Sequence, residues 1–249
     1  MSQTEKPYWS WPNGAAAAVS LTFDDNCASH IDTAVPTLDE FGLKGTFYLP
    51  LSRERFAQTR ERWRAHAQNG HEAGNHSLRH PCSRNFAFIT EGNCLENYTP
   101  ARMEAEVLEA IRLLREGIPE QGEVTYCYPC YQAFIGSGVN RQSYVPVIAR
   151  YFPAARGWGE VPNNPRLCDL HYLWGCDAHG FDGDRLIAYA ESAVAQNRWA
   201  IFAFHGIGAE HLRVETEAFR ALLRHLTGHP DRFWTAPMIA VARYVRENR

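Results

Sequence analysis

The chain has 249 residues, 45% of them hydrophobic and 21% charged, with a formal net charge of −3. That length suits one domain with a sizeable core, and the composition excludes a disordered or fibrous chain. The near-neutral balance, without a Lys/Arg-rich cluster, excludes the electrostatic footprint of a nucleic-acid or anionic-membrane binder and points to a small or neutral partner.

Residues 1–7 lack the basic residue followed by an apolar core that an export signal needs. No stretch approaches a membrane span, and a soluble cytoplasmic protein is the expectation. The seven cysteines (Cys27, Cys82, Cys94, Cys127, Cys130, Cys168, Cys176) are odd in number and scattered, so reduced thiols are expected rather than a disulfide framework. After a Trp/Pro-rich lead-in over 7–14, Val19, Leu21 and Phe23 alternate with Ala18, Ser20 and Thr22, the period of a strand. This strand ends on Asp24 and Asp25. Adjacent carboxylates repel, so the pair reads either as a turn or as a site that needs a cation, a shared proton or an arginine.

The spacing then predicts a helix over 30–41, a strand over 44–51, a helix over 53–68 and a short strand over 71–75. Residues 83–98 have no period and read as a long loop over one end of the fold. Thr99 as N-cap and Pro100 after it open a helix to about residue 116, with Met103, Val107, Ile111 and Leu114 as its buried stripe. Further on, strands are expected over 123–128, 154–157, 170–176 and 199–204. Helices are expected over 143–151, 184–196, 214–226 and 236–246, the last two flanking Phe233-Trp234-Thr235. About seven strand–helix units without an internal sequence repeat argue for a parallel sheet closed into a barrel.

In such barrels reactive residues gather at the C-terminal ends of strands, where Asp24-Asp25, His76 to His80, Cys176-Asp177 and His205 all fall. Pro81 biases His80 away from helical dihedrals, so His76 and His80 belong to a loop. Two imidazoles and a carboxylate leave coordination positions open, the pattern of a catalytic divalent ion, zinc above all. His205 ends an apolar strand and precedes a loop with Gly206 and Gly208, which places it to act on a ligand. His66, His71, His211, His225 and His229 read as structural. Cys127 and Cys130 have a CxxC spacing, but nothing completes a redox or zinc motif, and two buried thiols are expected.

Together these residues resemble the polysaccharide deacetylases, the carbohydrate esterases of the NodB-homology type, over nearly the whole chain. The resemblance implies a single domain over 1–249 folded as a distorted (β/α)7 barrel. It also implies Asp24 as catalytic base, Asp25, His76 and His80 as ligands of one divalent metal ion, and His205 as general acid. The usual arginine of the third motif is replaced by Cys127 in Tyr126-Cys127-Tyr128-Pro129-Cys130-Tyr131, where Cys130 keeps the backbone N–H of the oxyanion role. The fourth motif is represented by Asp177 and by Phe181 in place of a tryptophan. The substrate implied is an acetylated sugar or oligosaccharide, N-acetyl before O-acetyl, with Tyr131, Trp158, Trp174 and Phe181 offering faces to the ring. A related C–N amide hydrolase acting on a small non-sugar, or an idle carbohydrate-binding barrel, are the alternatives. A carboxylate beside a metal-bound carboxylate would be a poor base without its own cation, and Arg156, after a short apolar strand, is the candidate to donate a forked pair of hydrogen bonds to Asp24 or Asp177.

Overall fold

The computed structural model describes residues 9–52 and 54–249. The expectation drawn from residues 1–7, and the start of the second helix at Arg53, lie outside them. The alternation around Leu21 forms strand β1 (Ala17–Phe23), buried on both faces. Its odd residues pack outward with Leu38, Leu186, Phe219 and Leu222 of the surrounding helices. Its even residues point into a barrel, where Ala18 joins Tyr48, Trp199, Ile201 and Met238.

Six further parallel strands complete the barrel: β2 (Thr46–Leu49), β3 (Glu72–Asn75), β4 (Tyr126–Cys127), β5 (Ala155–Trp158), β6 (Leu173–Asp177) and β7 (Trp199–Phe204). β7 pairs back onto β1 over Ala18 to Phe23, which closes the ring. An eighth strand, β8 (Phe233–Thr235), distorts it. The free edge of β1 is divided, residues 17–19 pairing with β8 and residues 22–23 with β2. The sheet is therefore closed tightly at its C-terminal mouth and wedged open at its base.

Helices α1 (Val35–Glu40), α2 (Glu54–Gln68), α3 (Pro100–Gly117), α4 (Val145–Ile148), α5 (Gly183–Gln196), α6 (Thr216–Gly228) and α7 (Met238–Asn248) lie around the barrel. The first expected helix begins as a π-turn over His30–Ala34 and narrows to α1. Thr99 accepts from Arg102 N–H and caps α3 as its sequence requires. The helix expected over 143–151 shrinks to α4, because Ser143 pairs with Phe134 in a small hairpin and Pro146 is tolerated only in a first turn. The strand expected over 123–128 keeps only two residues before Tyr128-Pro129 turns the chain. Among the described residues no helix is long and apolar enough to cross a membrane.

The base of the barrel is plugged by α7, with Met238, Val241, Ala242 and Val245 buried there. A polar network replaces oil at the centre of this plug. Glu72, fully enclosed, accepts from Thr46 Oγ1 at 2.8 Å, Thr125 N–H at 2.6 Å, Thr125 Oγ1 at 2.7 Å and, from the first turn of α7, Ile239 N–H at 2.9 Å. Burial pushes its carboxyl up, and the four donors oppose that shift. Glu72→Ala strips two buried backbone N–H groups of their acceptor, and we expect a loss of roughly 2–6 kcal/mol, read by denaturant unfolding. A loss within experimental error would show that the network is dispensable.

Candidate metal centre and active site

β1 runs out on two carboxylates, and the backbone sends them in opposite directions. Asp24 continues the ladder, its N–H donating to Phe204 O at 2.8 Å, and turns its side chain into the barrel, where it is 2% exposed. Asp25 has φ +78°, a left-handed turn that lifts its side chain to the mouth. Asn26 follows with φ +53°, a conformation asparagine tolerates. It is fixed there by Trp63 Nε1–H donating to its Oδ1 at 2.8 Å.

Inside the barrel Asp24 meets Arg156, which is wholly buried and reaches across from β5. Arg156 Nη2 donates to Asp24 Oδ1 and lies 2.9 Å from Cys127 Sγ. The expected two-bond fork is not formed: Nε and Nη1 have no hydrogen-bond partner. The guanidinium instead sits over the rings of Tyr48 and Tyr131, 5.3 and 5.6 Å from their centroids. Burial alone would raise the Asp24 carboxyl, but the guanidinium, with His76 and His205 nearby, outweighs it and holds the group below the usual carboxylate range. Cys127, its thiol pushed up by burial, is an S–H donor 3.6 Å from both Asp24 oxygens.

On the outer side, β3 delivers His76. Its Nδ1–H donates to Cys127 O at 2.9 Å, which fixes the tautomer and leaves the Nε2 lone pair facing Asp25. Ser77 (φ +66°) then turns the chain so that His80 N–H donates to Ser77 Oγ at 2.9 Å, and His80 itself is left-handed at φ +54°. The Nε2 atoms of His76 and His80 lie 3.5 and 3.1 Å from Asp25 Oδ1. That oxygen is buried and has no hydrogen-bond partner. Ligands about 2.0–2.2 Å from a tetrahedral ion stand about 3.3–3.6 Å apart, so an orphaned oxygen facing two imidazoles at these separations fits a divalent cation.

His205 ends β7, 8% exposed, with a buried Nδ1 that has no partner. Burial lowers its pKa, opposed by Asp24, Asp25 and Asp177. Asp177, at the end of β6, accepts from His179 N–H at 3.0 Å and makes no hydrogen bond to His205. A cavity of about 590 Å³ unites Asp24, Asp25, His76, His80, Cys130, Tyr131 and His205 with Phe86, Phe88, His211 and Leu212. Among the expected aromatics only Tyr131 lines it. Trp158, at the end of β5, is 46% exposed outside the cavity, and Trp174 lies on the outer face of β6 against Gly159. Phe181 lines a neighbouring groove and stacks under Arg185.

Two features depart from the sequence reading. Cys130 is not a buried thiol: it is bonded to Cys82, which joins the loop of His80 to the turn after β4. A separation of 48 residues hides this pairing, because it depends on two loops folding to one side of the mouth. The bridge also removes one of the two grounds for a cytoplasmic setting, and the other rests on residues 1–7. His211, read as structural, donates from Nε2 to Asp25 Oδ2 at 3.0 Å. Its neighbours Gly206, Gly208 and Glu210 mark a turn, but only the fold brings that turn over Asp25.

Comparison with known proteins adds an independent line. A gellan lyase from Bacillus sp. is 30% identical over 155 residues, 61% of this chain, and the chain spans only 5% of that relative's length. Two crystal structures share the fold at 16% identity. A Mycobacterium smegmatis protein described as a polysaccharide deacetylase superposes with a TM-score of 0.69 over 97% of this chain and 94% of that one. Puue allantoinase does so with 0.65 over 99% and 95%. The family model for polysaccharide deacetylase matches residues 12–134, the stretch that carries both aspartates, the histidine loop and the turn at Cys130, and over that stretch the chain carries this family's pattern.

Proposed function

We propose that this chain, as one catalytic unit over 1–249, is a metal-dependent hydrolase that removes acetyl groups from an acetylated sugar or oligosaccharide, N-acetyl before O-acetyl. The observation that carries this reading is the division of labour between the two carboxylates: Asp24 paired with a buried cation, Asp25 with its Oδ1 unpartnered beside two imidazoles. Asp25, His76 and His80 would hold a divalent ion, zinc by the donor set, which supplies Lewis-acid charge at the acetyl carbonyl. Asp24 Oδ takes a proton from the attacking water, kept ionised for that task by Arg156. The Cys130 N–H donates to the carbonyl oxygen as it gains charge. His205 gives a proton to the leaving nitrogen or oxygen as its bond to the acyl carbon breaks, so that acetate and a free amine or alcohol result. Tyr131, Phe86 and Phe88 supply the apolar wall against which the substrate rests.

The direct test is acetate release by the zinc-loaded protein from N-acetylated and O-acetylated oligosaccharides, with small amides in parallel. Hydrolysis of a small amide without acetate from any sugar would overturn the reading. The protein should retain about one zinc per chain, and His76→Ala or His80→Ala should lose it by elemental analysis.

Asp24→Asn should keep the metal and lower turnover about 10²–10⁴-fold, whereas Asp25→Asn should weaken zinc retention as well. Equal loss of metal in both variants would contradict the separate roles.

The sign of the pH effect follows from the arginine. Asp24 works as a base above its folded pKa, which Arg156 depresses, so activity falls as pH drops through that lowered value. Arg156→Lys loosens the contact and should move the acidic limb of the pH–rate profile to higher pH at unchanged zinc content. An unmoved limb with normal turnover would exclude this role for Arg156.

A further inference from the structure

The Asp25 carboxylate has a second side. Its Oδ1 faces His76 and His80, while its Oδ2 receives His211 Nε2–H. Ligand atoms of Asp25, His205 and His211 lie within 4.8 Å of one another, as do those of Asp25, His76 and His80. The second trio repeats the donor set of the first, one carboxylate and two imidazoles. His205 brings to it a buried Nδ1 without a hydrogen-bond partner.

The loop that carries His211 is anchored. The Glu210 carboxylate accepts from Ala28 N–H at 2.8 Å, Ser29 N–H at 3.0 Å and Ser29 Oγ at 2.8 Å, which ties the loop to the segment after Asp25. Gly206 N–H donates to His211 O at 3.2 Å, and a Cβ on Gly206 would fall 1.8 Å from Ala209 O, so the turn is tight as well as tied. The Glu210 tie holds His211 beside Asp25 although its side chain is 55% exposed.

We propose that Asp25, His205 and His211 form a second, weaker site for a zinc-type divalent ion, with Asp25 bridging it to the first. The ion takes the place of the His211 Nε2 proton, the neutral ring keeping its proton on Nδ1. Imidazole donors select zinc-type ions over magnesium or calcium. The site is weaker because one ligand is exposed and the shared carboxylate already serves the first ion. Occupancy withdraws His205 from proton transfer, so excess zinc inhibits the enzyme. This inference rests on the proposed reading of Asp25, His76 and His80 as the primary site.

The test is zinc uptake by the metal-depleted full chain, followed by equilibrium dialysis with elemental analysis to millimolar zinc. Wild type should take a tight equivalent and a second one at least about tenfold weaker, with acetate release falling as the second fills. His211→Ala and the size-conserving His211→Gln should keep the tight equivalent, lose the weaker one and resist inhibition by excess zinc. Glu210→Ala, which releases the loop, should weaken the second equivalent without touching the first. A single equivalent in wild type, or an unchanged second one in both His211 variants, would overturn the proposal. Absence of the tight equivalent from wild type would instead overturn the primary site.

Discussion

The contact between Arg156 and Asp24, sealed inside the barrel, is the constraint to which the rest of the mouth conforms. A buried guanidinium is costly unless its charge is matched, and a buried carboxylate without it would have its pKa pushed upward. Room for the pair is cut into the neighbouring strands. A Cβ on Gly175 would fall 2.5 Å from Arg156 Cδ, and one on Gly74 equally close to the Tyr48 ring that lies over the guanidinium. With Asp24 satisfied from within, Asp25 is free to turn outward to the histidines. Two like charges in adjacent positions thus become neighbours with different partners.

That separation is imposed by backbone geometry. Among the described residues, every non-glycine residue with positive φ other than Asn13 and Asn197 lies in the loops at the mouth: Asp25, Asn26, Ser77, His80, Cys130, Tyr131, Glu210 and Leu212. Such conformations cost about 1–3 kcal/mol each and persist only where the surroundings over-determine them. Here the surroundings are identifiable. Trp63 holds Asn26, Asn75 and Ser77 hold the His80 turn, the Cys82 bridge holds Cys130, and Ser29 holds Glu210. Rigid strands supply direction, and these local ties supply the last ångström.

Much of this was legible in the sequence because strand alternation runs straight into the polar residues. Val19 to Phe23 fixes the parity of Asp24, and Trp199 to Phe204 places His205 at a strand end. Arg156 could be singled out because Cys127 occupies the position where an arginine would be expected. Its one-bonded approach, cushioned by two tyrosine rings, depends on side-chain packing that no spacing encodes. His211, Phe86 and Phe88 come from segments without a period, so nothing in them announces which surface they meet. Trp174 shows the opposite failure. Its position in β6 puts it on the same face as Cys176, away from the barrel interior.

The plug at the base ties the barrel to the order in which the polypeptide is made. Thr46 and Glu72 belong to β2 and β3, yet the N–H groups that complete their hydrogen bonds come from Met238 and Ile239. During synthesis all seven barrel strands are made before those donors exist. Until α7 emerges, Glu72 has no mate from that helix, and the base between β1 and β2 lacks β8 to fill it. The base of the barrel can therefore be completed only after translation has passed α7.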